Sequence, residues 1–140
     1  MEHSGNGTAQ KQYEISLEWI SELSLYRDEM KFLKRLIDRY YLEVVKLENL
    51  DEIREEVMQL QDLGHANKAL LKELVRFRDR IKGFMDCPDD LLAPEQEMTH
   101  TNLQKKMAAF KLRFLSAKQE IFGIANDVLE KMKTQKNNVI

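Results

Sequence analysis

The hydrophobic positions of this chain recur with a helical period over long stretches. Trp19, Leu23, Tyr26, Met30, Leu33, Ile37, Tyr40, Val44 and Leu47 follow one another in alternating steps of four and three. Such steps return to one side of an α-helix every two turns, so they predict a heptad-patterned helix over 12–47. A second row, Leu103, Met107, Phe110, Phe114, Ala117, Ile121, Ile124 and Val128, predicts another over 94–136. Pro94 suits its first position, where a missing N–H costs nothing, and Glu95 and Glu97 suit its first turn. A third helix is expected over 50–85. It is bounded by a capping pair, Asn49 with Glu52, and by the "DCPDDLLAP" break at 86–94. No alternating run reads as a strand. Residues 1–11 are expected to be a flexible tail and 137–140 a frayed end.

The middle helix carries an irregularity. Its apolar row begins Ile53, Val57, Leu60 and resumes as Leu63, Asn67, Leu70, Leu74, Phe77, Ile81, Phe84. Two successive three-residue steps, at 57, 60 and 63, read as a stammer that overwinds the helix locally. Gly64, His65 and Asn67 therefore mark a candidate register change or hinge. Asn67 is the polar residue within the row, able to fix register at some cost in stability, and His65 is expected at its edge.

Long helices with short connections pack as antiparallel neighbours. The expected fold is all-α, an antiparallel up-down-up three-helix bundle that is coiled-coil-like. The charge pattern agrees with it. Glu14, Glu18 and Glu22 at the start of the first helix would lie opposite Lys72, Arg76, Arg78, Arg80 and Lys82 at the end of the second. At the other end Lys34, Arg35, Arg39 and Lys46 would face Asp51, Glu52, Glu55, Glu56 and Asp62. The basic "RFRDRIK" stretch at 76–82 is accordingly read as a face paired with the first helix. Left uncovered, it would favour nucleic acid instead.

Trp19 in the first seam resembles an aromatic position of spectrin-like three-helix repeats. The resemblance covers architecture and that position alone, and assigns no family.

Two further rows exceed what a three-helix core requires. Leu25, Phe32 and Leu36 flank the first seam, and Leu115, Phe122 and Leu129 flank the third. Surplus apolar surface on a soluble protein marks an interface, so these six residues are the candidate contact face, with a dimer the favoured assembly.

Candidate chemistry is sparse. Asp62-x-x-His65 and Glu97-x-x-His100 each place a carboxylate and an imidazole on one helix face. Folded antiparallel, the two motifs lie roughly 22 Å apart along the bundle, so no common metal joins them. Cys87 stands without a histidine nearby in sequence and is read as a bystander thiol. There is no phosphate loop, cysteine cluster or serine elbow, and no catalytic residue, metal or cofactor is expected. Net charge is −2 with one cysteine in 140 residues, and no run is apolar enough to span a membrane. The expectation is a non-enzymatic cytoplasmic scaffold or adaptor that self-associates through helix faces. A nucleic-acid-associated helical protein is the alternative, and a ligand- or metal-binding bundle a third.

Overall fold

The computed structural model describes residues 9–46, 50–85 and 94–138, with side chains placed at 9–39, 51–85 and 94–134. Residues 1–8 of the tail expected over 1–11, the turn at 47–49, the Cys87–Pro88 break and the last two residues lie outside the described residues, as do the side chains of Tyr40 and Tyr41. Three helices form: α1 (Ala9–Lys46), α2 (Leu50–Met85) and α3 (Pro94–Asn138). Each packs on the other two, giving a three-helix bundle.

Side-chain contacts fix the directions. Trp19 meets His100, Tyr26 meets Phe110 and Phe114, and Glu29 meets Lys118, so α1 and α3 run parallel. Phe77 meets His100 and Glu73 meets Lys106, so α2 and α3 run antiparallel. The connectivity is the expected up-down-up.

The buried rows differ from the apolar rows in two places. α1 begins at Ala9, not at residue 12, because its row continues backwards through buried Ser16, Gln12 and Ala9. These residues keep the alternating steps although none is large and apolar. Ser16 remains satisfied because its hydroxyl donates to the Tyr13 carbonyl at 2.6 Å. At the other end of the chain, α3 continues through Asn138, past the expected fraying point at 137.

The second difference removes the stammer. The buried positions of α2 are Ile53, Glu56, Leu60, Leu63, Asn67, Leu70, Leu74, Phe77 and Ile81. Steps of three and four alternate along them without a break. The position between Ile53 and Leu60 is filled by Glu56, 5% exposed, while Val57 is half-buried beside it. A row drawn through apolar residues alone chooses Val57 and so creates a false register shift. Gly64 marks no tightening either, since a Cβ built on it would meet nothing within 4 Å.

Large side chains fill the centre. Phe77, Phe114, Leu23, Leu33, Leu63, Leu74 and Ile121 are essentially fully buried. Each such burial contributes about 1.5–3 kcal/mol before chain entropy is counted, so the shared row of the three helices holds the bundle together. No described helix is long and apolar enough to cross a membrane.

Candidate functional site

Five of the six flanking residues stand exposed along the edges of the α1–α3 contact. α3 lies on the side of α1 that carries Tyr26 and Glu29, and α1 lies on the side of α3 that carries Lys118. Leu25 and Phe32 stand on the outer edge of that side of α1. Leu115, Phe122 and Leu129 stand on the matching edge of α3. The Glu29–Lys118 ion pair, at 2.8 Å, sets their relative height. Phe32 is three residues beyond Glu29 and Phe122 four beyond Lys118 in parallel helices, which puts the two rings within about one 1.5 Å residue rise of each other in height. Leu25 and Leu115 match in the same way about one turn before the ion pair. Leu25 is 63% exposed, Phe32 53%, and Leu115, Phe122 and Leu129 41% each. The Lys118 ammonium sits 5.9 Å from the centre of the Phe122 ring and 6.0 Å from that of Phe114, so the charge crosses the strip over aromatic faces. Leu36 departs from the expected set. It is half-buried and packs against the core, because its angular position lies between the strip and the seam.

Gly64, His65 and Asn67 lie on the opposite side, where α1 meets α2. The buried Asn67 donates its Nδ2 hydrogen to the Leu23 carbonyl of α1 at 2.9 Å. A helical carbonyl has two lone pairs, so it accepts this bond in addition to its place in the helix. His65 is exposed. All three line a cleft of about 410 Å³ with Met30, Ile37, Val57 and Leu60 beneath and Arg27, Lys31, Lys34 and Lys68 around it. The side-chain pattern explains why the groove opens there. The α1 residues that overlie this groove are Tyr13 and Ile20 at one end, then Arg27 and Lys34. On α2 Leu71 gives way to Gly64. Apolar covers are thus replaced by long cations and a missing side chain.

The core contains two ionisable groups. Glu56 packs where its carboxyl hydrogen-bonds to that of Glu120 on α3, and its Oε2 has no hydrogen-bond partner among the described residues. Burial, then repulsion and hydrogen bonding with Glu120, then Glu55, push the Glu56 carboxyl up to about 7. The Glu56 carboxyl therefore keeps its proton to a higher pH than an exposed glutamate does. His100 stacks on Trp19 with ring centres 5.1 Å apart and meets Phe77 at 5.9 Å. Burial lowers its pKa against the opposing pull of Glu97, which keeps the imidazole neutral. Its Nε2 and the Oε1 of the neighbouring buried Gln96 have no hydrogen-bond partner among the described residues. The Glu97-x-x-His100 pair is therefore split between an exposed carboxylate and a core imidazole. Among the described residues no three His, Cys, Asp or Glu side chains cluster as a metal site.

The basic stretch of α2 also divides. Arg78 pairs with its neighbour Asp79 at 3.0 Å. Arg76 and Arg80, four residues apart and so on one face, turn to the α2–α3 groove with Lys106. Lys72 and Arg113 continue the same groove. That groove is away from α1, so the carboxylates of α1 do not cover these cations as the charge pattern led us to expect. Within the groove, Glu73 neutralises Lys106 at 2.8 Å.

Neither Glu56 nor the Gln12–Ser16–Gln96–His100 layer was expected in the core from sequence. The signal was present as seven-residue continuity across polar positions, which a hydrophobicity filter discards. Compared with known proteins, the chain matches no family model, no curated protein and no solved structure.

Proposed function

We propose that this chain is a non-enzymatic scaffold or adaptor that associates with a second copy of itself through the α1–α3 face. The observation that carries the reading is the exposed strip of Leu25 and Phe32 facing Leu115 and Phe122 across the Glu29–Lys118 pair. Exposed aromatic and aliphatic side chains stand at matched heights on the two sides of that ion pair, and exposed apolar rows of this kind are normally covered. A partly neutralised charge at the centre fixes orientation while the apolar rows supply the driving force. The seven-residue spacing of buried positions supports a coiled-coil-like packing that leaves long, straight faces available. A cytoplasmic location belongs to the same proposal and rests on the single cysteine and the mixed surface charge.

Light scattering at tens of micromolar tests it. A dimer mass is expected for the parent and a monomer mass for Phe32→Glu with Phe122→Glu, with the circular dichroism spectrum unchanged. A monomeric parent, or a dimer that survives both substitutions, overturns the reading.

A second reading, nucleic-acid association, is favoured by the uncovered cations of the α2–α3 groove, Lys72, Arg76, Arg80 and Arg113. It requires binding that weakens steeply with salt and is lost in Arg76→Ala with Arg80→Ala.

A further inference from the structure

We propose that the mid-bundle cleft between α1 and α2 binds a single-chain fatty carboxylate, with the alkyl chain on its floor and the carboxylate in its cationic rim. The site is distinct from the α1–α3 strip and does not depend on self-association.

Three observations converge. The floor is core surface: Met30, Ile37 and Leu60 belong to the buried rows, yet they border a cleft of about 410 Å³. This falls in the size range of small-ligand sites, about 300–1,000 Å³. The rim is unbalanced. Arg27, Lys31, Lys34 and Lys68 surround the opening, with Asp38 as the acidic residue in the lining. Among the described residues no carboxylate lies within ion-pairing distance of Lys31, Lys34 or Lys68. Finally, Gly64 disfavours the helix yet meets no close neighbour: a Cβ there would point into open space. Gly64 is also part of the cleft lining, so a side chain added there would occupy the cleft.

The dimensions favour a small amphiphile over a partner helix. From Met30 to Ile37 the floor runs seven residues, about 10 Å along the axis. Toward the start of α1 the lining ends at Arg27, and Ile20 and Leu71 further along pack against the core. Among the described residues the cleft runs about two turns, a length that a medium-length alkyl chain fits and a docked helix of several turns does not. A carboxylate head meets mobile lysines at the rim without having to shed all its water.

The test uses the full chain and sodium decanoate below its micelle concentration. Calorimetry should show one saturable site, with amide shifts concentrated at Gly64, His65 and Lys68. Acetate should leave those amides unmoved, and decyltrimethylammonium should bind more weakly than decanoate. Gly64→Leu fills the cleft and should weaken binding about tenfold or more. Lys31→Glu with Lys68→Glu keeps the cavity and should reverse the preference between the two amphiphiles, so the test does not rest on one variant. Non-saturable binding, shifts centred on Phe32 and Phe122, or affinity unaffected by both sets of substitutions would overturn the proposal. So would an acidic amphipathic peptide that moves these amides when decanoate does not, since it would assign the cleft to a partner helix.

Discussion

Asn67 and Glu56 are two polar residues in one buried row of α2, and the bundle treats them differently. Asn67 reaches a backbone carbonyl of α1 that is present whatever the conditions. Its demand is met by geometry alone. Glu56 is buried beside the Glu120 carboxyl, so its protonated form is the one the core favours. Of the two, the residue that stands out in the sequence as the anomaly is the settled one. A buried amide is accommodated once a donor finds a carbonyl, whereas a buried carboxyl stays conditional on pH.

The largest effect should come from relieving the conditional residue. The Glu56 carboxyl rises from 4.5 to about 7 on folding, so the folded chain holds this proton more tightly than the unfolded chain. Stability should fall as pH rises from 4.5 to about 7, and the full penalty should be present above that. Glu56→Gln removes the titration. It should stabilise the bundle by about 1–3 kcal/mol at pH 8 and by much less at pH 5, since each tenfold change in proton affinity is worth roughly 1.4 kcal/mol. Urea unfolding at pH 5, 6, 7 and 8 measures this. Parallel pH profiles for parent and variant would mean that the carboxyl is already satisfied as an anion.

Asn67 sharpens the contrast at a smaller scale. Asn67→Ala loses one buried hydrogen bond and opens space in the row, and should lower stability by about 1–2 kcal/mol with no pH dependence between 5 and 8. Asn67→Leu should raise the melting temperature, because the Leu23 carbonyl keeps its place in the helix and the row becomes apolar from Leu60 to Ile81. A lower melting temperature for Asn67→Leu would show that the bond to Leu23 contributes more than the apolar contact that replaces it.

The parts of this architecture that follow from local chemistry were readable in the sequence. The span of α2 and the start of α3 at Pro94 follow from helical period and from the fit of proline to a first helical position. The exposure of Leu25, Phe32, Leu115 and Phe122 follows from their angle to the seam. What was not readable depends on partners far along the chain. That Glu56 and not Val57 faces inward follows from the alternating three-four row that packs against the other helices, not from side-chain polarity. The start of α1 at Ala9 follows from a row of small and polar residues that bury only beside other helices. His100 is a core residue because Trp19 and Phe77 enclose it from two other helices. Arg76 and Arg80 escape α1 because the α2–α3 groove has its own opening, which a comparison of charges along two helices does not reveal.

The smallest effect concerns Gly64, between the two polar residues in sequence. If a close approach of α1 required it, alanine there would clash and destabilise the bundle. Its Cβ position is open instead, as is that of Gly123 on α3. Gly64→Ala should therefore stabilise by about 0.5–1 kcal/mol through reduced freedom of the unfolded chain and better helix propensity. Gly123→Ala should gain a similar amount, and the two should add, since they sit on different helices without a shared contact. Urea unfolding of the two single variants and the double variant checks both claims. Equal gains would place Gly64 with ordinary exposed helix positions and leave the shape of the cleft as the remaining physical reason for a glycine there. A loss at Gly64 alone would mean that the α1 and α2 backbones draw closer in solution than the open cleft allows, and that the middle of α2 is under strain after all.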